Sequence, residues 1–471
     1  MDTAKLTIAG ARRALDAKEY SAVELVRAFR TVAEKENPAL NAYLEIFSDS
    51  EQQAKEADIT IAQGSAGPLT GIPLAIKDNI LINGHRAGAA SKILEGYVAP
   101  YDATVIARLK KQHAVFMGRT NMDEFAMGSS TENSAYGVTK HPLDPTRVPG
   151  GSSGGSAVAV AAHLALGALG SDTGGSIRQP AGLCGVVGLK TTYGMVSRYG
   201  LMAMGSSLDQ IGPFAHTVED ARLLFDAIKG HDSLDSTSLP NGFFPNDAGL
   251  KKRVGVPRAF LQAGIDADVL ARFEETLAYL KKQGHTIVDV AIPSLAHALA
   301  VYYIIMPAEA STNLARFDGI RFGLSVDSDD IIDVYKKTRG MGFGREVRRR
   351  ILVGTFVLSS GYVDAYYRKA IAVRNVIRND FKKAFTDVDV IVTPTSPTPA
   401  FKAGEKEDPL AMYAADIFTV PVNLAGVPAI SVPTGSVARD GINLPVGFQI
   451  IAPMGREDRL FTVGSVVEKM E

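Results

Sequence analysis

The chain has 471 residues, 46% of them hydrophobic and 21% charged, enough apolar material for a large core. Fifty Lys and Arg against 51 Asp and Glu leave a formal net charge of −1, which excludes gripping a nucleic-acid backbone by bulk charge alone. A single cysteine, Cys184, excludes an intrachain disulfide and fits a reducing compartment.

In chain order, residues 5–35 read as two amphipathic helices, the second opened by a capping box from Ser21 to Glu24. The opening stretch has no apolar core of signal-peptide length. No run of about 18 uncharged apolar residues follows anywhere, so a soluble cytoplasmic protein without a membrane partner is expected. LNAYLEIF reads as a strand; PLTGIPLAIKDNI reads as a turn, a short buried strand and a polar exit carrying Lys77 and Asp78. DATVIARLKKQHAVFMGRTN suggests a helix and then a strand. The alternation returns in KRVGVP, ADVLARFEETLAYLKKQG and HTIVDVAIP, then in DVDVIVTPT, VPAISVPTG and LPVGFQIIAP, with a closing helix near RLFTVGSVVEKM. Strands alternating with helices predict an α/β fold, one large domain around a central mixed β-sheet with helices on both faces. Its expected parts are a core over about 60–220, a helical layer over about 260–380, and C-terminal strands and a helix over about 385–471.

PGGSSGGSAVAVAAHLALGALGSDTGGSIRQP, residues 149–180, opens like a linker but runs at once into a small-residue helix pattern, so it is structural. It matches no Walker loop, and RGMGFGRE is no dinucleotide fingerprint. Eight scattered histidines without a His-Glu-x-x-His pattern give no zinc site, and no metal is expected. A helix from about Gly154 to His163 would advance roughly 15 Å. A strand from Ala165 to Ser171 would return roughly 20 Å, so Ser152 and Ser176 can meet at the carboxyl edge of the sheet. Gly174 and Gly175 would free backbone N–H groups for a bound oxygen, although an ordinary Gly-rich turn reads equally well. A serine nucleophile needs a base. His163 falls in the apolar helix and reads as packed. Lys77 would serve if buried and neutral, but a strand-end lysine is ordinarily solvated, and spacing does not place it beside the serines. Cys184, in a small apolar stretch, reads as buried packing.

GIPLAIKDNI, GRTNMDEFAMGSSTENSAYG and the whole of residues 149–200 resemble the amidase-signature family over the length of the chain. That resemblance implies a Ser-cisSer-Lys triad, with Ser176 as nucleophile, Ser152 after a cis peptide as bridge, and Lys77 as base. It implies an oxyanion hole from the backbone of Thr173, Gly174, Gly175 and Ser176, with Asp172 and Arg178 bracing the loop; Ser153 and Ser156 become helix-start residues. Within the family, YYIIMPAEASTNLARFDGIRFG, GFGREVRRRILVGTFVLSSGYVDAYYRKA and DIFTVPVNLAGVPAISVP are most similar to the glutaminase subunits of tRNA-dependent amidotransferases. That similarity implies glutamine as substrate, its α-carboxylate on Arg349 (or its neighbours Arg348 and Arg350) and its α-amine on Asp416. Ser129 and Tyr303 join as further substrate contacts; Tyr303 or its neighbour would form a wall. It also implies no cofactor in this chain, ATP and Mg2+ in a partner, B and C subunits as partners, and misacylated tRNA held mainly by B. A stand-alone amidase for small aliphatic or aryl amides, and a catalytically idle scaffold, are the competing readings.

Overall fold

Apolar runs punctuated by glycine and proline become strands, and amphipathic runs become helices. The computed structural model describes residues 1–244, 249–261 and 264–470. Its strands are β1 (Tyr43–Ile46), β2 (Pro73–Lys77), β3 (Val115–Thr120), β4 (Gly167–Asp172), β5 (Val187–Lys190), β6 (Gln210–Ala215), β7 (Arg253–Val256), β8 (Thr286–Asp289), β9 (Val390–Pro394), β10 (Ala429–Arg439) and β11 (Ile442–Ile451). They form one sheet in the order β1-β3-β2-β4-β6-β5-β10-β11-β9-β7-β8. β2 runs parallel to both β3 and β4, whereas β6 runs antiparallel to β4 and to β5. The carboxyl ends of β2, β3, β4 and β5 therefore share one edge, and Lys77 lies opposite Thr120 on it. β2, β4 and β6 are buried throughout, as strands covered on both faces must be. The outermost β8 carries exposed polar ends that discourage edge pairing.

The sheet is mixed and flanked by helices, as the alternation implies. Helix Ala22–Leu40 starts at the Ser21–Glu24 capping box, both halves of which are formed, and stops where Asn41 turns left-handed at φ 51°. Helix Gly154–Ala161 is buried from Gly154 to Val160. A side chain at Gly155 would strike the carbonyls of Asn121 and Ala42, so small residues are a packing requirement and the stretch is no linker. His163 lies just beyond this helix, at φ 56°, stacked on His216 at 4.4 Å between centroids.

The helical layer proper runs through Leu295–Asn313, Ile331–Gly342, Arg345–Leu358 and Lys369–Ala384, and all but the second of these form a second apolar core with Ile391 of β9 and Ile451 of β11. It begins later than the sequence pattern suggests, because residues 253–289 contribute β7, helix Ala267–Lys282 and β8 to the sheet side. The short strands β5 and β6 are not evident in the sequence, being four and six residues of mixed small and apolar character. Cys184 is buried, its thiol pushed up by desolvation and directed at the Pro149 carbonyl at 3.3 Å. No helix among the described residues is long and apolar enough to cross a membrane.

Candidate active site

Three loops converge on the shared edge: the exit of β2, the start of helix Gly154–Ala161, and the turn after β4. Lys77, the last residue of β2, is fully buried rather than solvated. Its Nζ lies 2.8 Å from Ser152 Oγ, 2.7 Å from Ser153 Oγ and 2.9 Å from Ser171 Oγ. Burial lowers its pKa to about 7, against the opposing pull of Asp123, Asp172 and Asp209. One of its hydrogens can then be assigned. Ser153 Oγ donates to the Ser171 carbonyl at 3.1 Å, so it accepts from Lys77, and Ser171 Oγ already accepts from Asn79 Nδ2 at 2.9 Å. A neutral amine has two hydrogens and one lone pair. With one hydrogen taken by Ser153, the lone pair is left for a hydroxyl that donates, and Ser152 and Ser171 are both within reach of it.

The peptide Gly151–Ser152 is cis. Gln179 fixes this loop by accepting from the Gly151 N–H at 3.0 Å while its own amide donates to the Ser129 carbonyl at 2.9 Å. Asp123 holds the neighbouring loop, accepting from the backbone of Thr131 at 2.9 Å and Asn133 at 3.1 Å. Ser176 is joined to the same loop, its carbonyl accepting from the Ser153 N–H at 3.2 Å.

The turn carrying Ser176 is shaped by its two glycines. A Cβ at Gly174 would come 2.7 Å from Tyr302, and one at Gly175, at φ 136°, would strike Thr419. Asp172 and Arg178, both fully buried, form two parallel hydrogen bonds at 3.0 Å. Burial alone would raise the Asp172 pKa, but the Arg178 charge outweighs it and holds it at about 2. One expected oxyanion donor is corrected here. The Gly175 N–H donates to Asp172 at 2.8 Å and is already spent, which leaves Thr173, Gly174 and Ser176 as the turn's candidates. Thr173 is pinned by its hydroxyl, which donates to Asp209 at 2.6 Å.

A cavity of about 230 Å³ lies alongside, lined in part by Ser130, Glu346, Arg349, Arg350, Lys406 and Tyr413. The arginines differ sharply. The Arg349 side chain is 34% exposed and ion-paired to Glu346, whereas that of Arg350 is 5% exposed, 2.8 Å from Glu346. Arg350 lies over the rings of Tyr303 and Tyr413 at 5.6 and 5.5 Å. Successive helical residues point about 100° apart, so one faces in and the next faces the rim. Tyr303 stacks on Tyr413 at 3.8 Å and meets Tyr302 edge-on, so the tyrosine pair spans from the arginine to the Gly174 turn. Asp416 is buried, accepts a hydrogen bond from Ser129 Oγ, and has its pKa pushed up to about 7 by burial, with Arg350 opposing. Among the described residues no cluster of His, Cys, Asp or Glu could hold a metal ion.

Ser171, Asn79, Asp123 and Gln179 do not stand out in the sequence, and Ser153 does more than start a helix. For Ser171 a signal exists: it lies at the end of β4, the parallel neighbour of the strand ending in Lys77.

A buried lysine of lowered pKa ringed by serine hydroxyls, beside a glycine-shaped turn carrying Ser176, is the arrangement a serine-dependent hydrolase would need. Comparison with known proteins agrees. The amidase family model matches residues 24–461, and the chain belongs to the amidase family. It is 52% identical over 466 residues to the A subunit of glutamyl-tRNA(Gln) amidotransferase from Synechococcus sp. (strain JA-2-3B'a(2-13)), covering 97% of this chain and 90% of the relative. The crystal structure of the A subunit of glutamyl-tRNA(Gln) amidotransferase from Thermotoga maritima matches with a TM-score of 0.81 at 42% identity, over 100% of this chain and 95% of that one. Native peptide amidase from Stenotrophomonas maltophilia matches with a TM-score of 0.83 at 28% identity, over 99% and 97%.

Proposed function

We propose that this chain is the glutaminase subunit of a tRNA-dependent amidotransferase, hydrolysing glutamine to glutamate and ammonia. The observation that carries the reading is the pairing of a buried cation, Arg350, and a buried carboxyl, Asp416, on the tyrosine-walled side of the Lys77–Ser152 network. A free amino acid brings both charges, and a site that desolvates them must answer each. Arg350 rather than Arg349 takes the α-carboxylate, because its side chain is buried against Tyr303 and Tyr413 while that of Arg349 lies at the rim; Glu346 pairs with both. Asp416 takes the α-ammonium, with Ser129 orienting the carboxylate.

Lys77 accepts the proton of Ser152, which accepts that of Ser176 as its Oγ attacks the side-chain amide carbon. The developing oxyanion is met by backbone N–H groups of Thr173, Gly174 and Ser176. The relay then returns a proton to the departing nitrogen, ammonia leaves, and a γ-glutamyl ester remains on Ser176. Water, deprotonated by the same relay, cleaves the ester and restores the serine. The ammonia passes to the B partner, with C completing the heterotrimer. There ATP and Mg2+ activate Glu-tRNA(Gln), Asp-tRNA(Asn) or both for amidation to Gln-tRNA(Gln) or Asn-tRNA(Asn); the tRNA is held mainly by B. No cofactor is assigned to this chain, and it works in the cytoplasm with its partners.

Ser176→Ala is expected to abolish glutamine hydrolysis while the assembled complex still transamidates with added ammonia. Loss of both activities would overturn the ammonia-supply role. The shared fold with peptide amidase keeps a stand-alone amidase as the second reading. A panel of simple amides hydrolysed as well as glutamine, with Arg350→Lys without effect, would select it.

A further inference from the structure

Two consecutive residues beyond the exit of β3, Asp123 and Glu124, touch three separate parts of the site. The Asp123 N–H donates to the Ser152 carbonyl at 3.2 Å. Its carboxylate accepts from the backbone of Ser130 at 3.3 Å and Thr131 at 2.9 Å, beside Ser129. Glu124 reaches a different element. It is buried, and its carboxylate accepts from Ser91 Oγ and, at 2.8 Å, from the Gly344 N–H. The backbone that presents the pair is unusual. Phe125 and Ala126 are left-handed, at φ 48° and 62°, and the Phe125 ring packs on Phe317 and Phe343 at 5.0 and 5.8 Å between centroids. Left-handed residues other than glycine are strained and persist only where their surroundings enforce them. A buried carboxylate likewise survives only where donors answer it.

Gly344 opens helix Arg345–Leu358, the helix that carries Arg350. In many helices a glutamate at the third position reaches back to the N–H of the capping residue. Here that position is Val347, and Gly344 has no side chain, so the helix does not cap itself. Glu124, 220 residues earlier, supplies the carboxylate instead, and its charge suits the positive end of the helix. The fit is close: a Cβ on Gly344 would come 2.3 Å from Glu124 Oε2. Ser91 ties the preceding turn to the same point, its hydroxyl lying 3.3 Å from the Gly342 carbonyl. Farther along, Gly354 sets how near the helix lies to helix Leu295–Asn313, because a Cβ there would strike the Pro307 carbonyl. The Glu124 brace sets where the helix starts. Arg350 follows six residues later, about 9 Å along the axis, so the place of its guanidinium is inherited from that start.

We infer that Glu124 is a positioning residue for recognition of the substrate's α-carboxylate: by holding the Gly344 N–H it sets Arg350 in register with the loop that Asp123 ties to Ser152. The inference rests on the glutaminase reading above and adds the residue that aligns the two halves of its site. The test is steady-state glutamine hydrolysis by the full chain assembled with its B and C subunits. A fluorophosphonate probe, which attacks a serine nucleophile without needing Arg350, reports on the relay and the fold, its site assigned by loss of label in Ser176→Ala. Glu124→Ala is expected to raise KM about tenfold, the worth of a lost charge-assisted hydrogen bond. kcat and the labelling rate should stay within about threefold, because the chemical step is untouched. Glu124→Gln keeps an oxygen for the Gly344 N–H and an amide for Ser91, and should return KM to within about threefold of wild type. Gly344→Ala crowds the carboxylate from the other side and should also raise KM, but should add little once Glu124→Ala has removed what it strikes. In an Arg350→Lys background Glu124→Ala should add no more than about twofold, as expected of a residue acting through that arginine. Unchanged KM in both Glu124→Ala and Gly344→Ala would overturn the inference and leave the glutaminase reading standing. So would kcat and labelling that fall together with KM, or losses that multiply in the Arg350→Lys background, since either marks a general support of the fold. An Arg350→Lys variant with unchanged KM would instead overturn the carboxylate site itself, and this inference with it.

Discussion

Two lysines end strands on the same sheet edge, and they teach what burial does and does not accomplish. Lys77 closes β2 and Lys190 closes β5; both are buried, and desolvation lowers the pKa of each to about 7. Their partners differ. Lys77 Nζ is ringed by the hydroxyls of Ser152, Ser153 and Ser171, whereas Lys190 Nζ donates to the Thr191 and Val427 carbonyls, both at 2.8 Å. A carbonyl can only accept, so an amine between two of them is a strut that joins β5 to the loop before β10. A hydroxyl can surrender its proton, so an amine beside one can be a base. Desolvation brings the pKa of either lysine down to about 7; the hydroxyl donors beside Lys77 are what would let it act as a base.

The largest expected effect breaks this comparison most directly. Lys77→Ala should lower kcat for glutamine by about 10³-fold, within the usual range for a lost general base. Lys190→Met should leave kcat within about tenfold and instead lower stability by roughly 2–3 kcal/mol, by stranding two buried carbonyls. Steady-state kinetics and denaturant melts on both variants separate the roles, and equal loss of kcat would erase the distinction. Next comes the arginine pair. Arg350→Lys should raise KM for glutamine by on the order of 10–100-fold, the worth of a charge-assisted fork. Arg349→Ala should change it by no more than about threefold, in keeping with a surface pair.

The pH dependence is a finer test. Lys77 must be neutral to accept a proton and Asp416 must be ionised to hold an ammonium, and both pKa values stand at about 7. The two effects share a sign. kcat/KM should rise with pH through about 7 and level off above it, and Asp416→Asn should raise KM while leaving the kcat limb in place. For stability, the unfolded chain keeps a proton on Lys77 up to its ordinary value of 10.5, while the folded chain releases it from about 7. The contribution of Lys77 to stability therefore rises with pH across that window. The smallest effect belongs to Asp172. Its pKa of about 2 means that the stability it lends is present above the ordinary carboxylate value and lost as pH falls through about 2, so acid melts should show little change from it above about pH 4.

Much of the fold and site is legible in the sequence, for physical reasons that differ by element. The capping box at Ser21, the strand before Lys77 and the helix after Ser152 are readable because their signals are local. Helix and strand lengths also bring Ser152 and Ser176 to one edge. The burial of Lys77 is not readable, because it depends on β3 and β4 closing on β2 from both sides, and strand order is not written locally. The roles of Ser153 and Ser171 are hidden for the same reason: each is an ordinary residue until the register sets it beside an amine. The choice between Arg349 and Arg350 turns on helix phase, and three adjacent arginines erase the apolar pattern from which phase is read. Gly175 fails as a donor because a side chain three residues earlier, Asp172, folds back to take its N–H.

The central claim is that Lys77 is a neutral base at working pH. The direct measurement is an NMR titration of the enzyme carrying 13C-labelled lysine, with the Cε resonance of Lys77 assigned by its loss in Lys77→Arg. A neutral base predicts a midpoint near 7 that coincides with the kcat limb. A midpoint near 10.5, with a kcat limb that does not follow it, would contradict the claim.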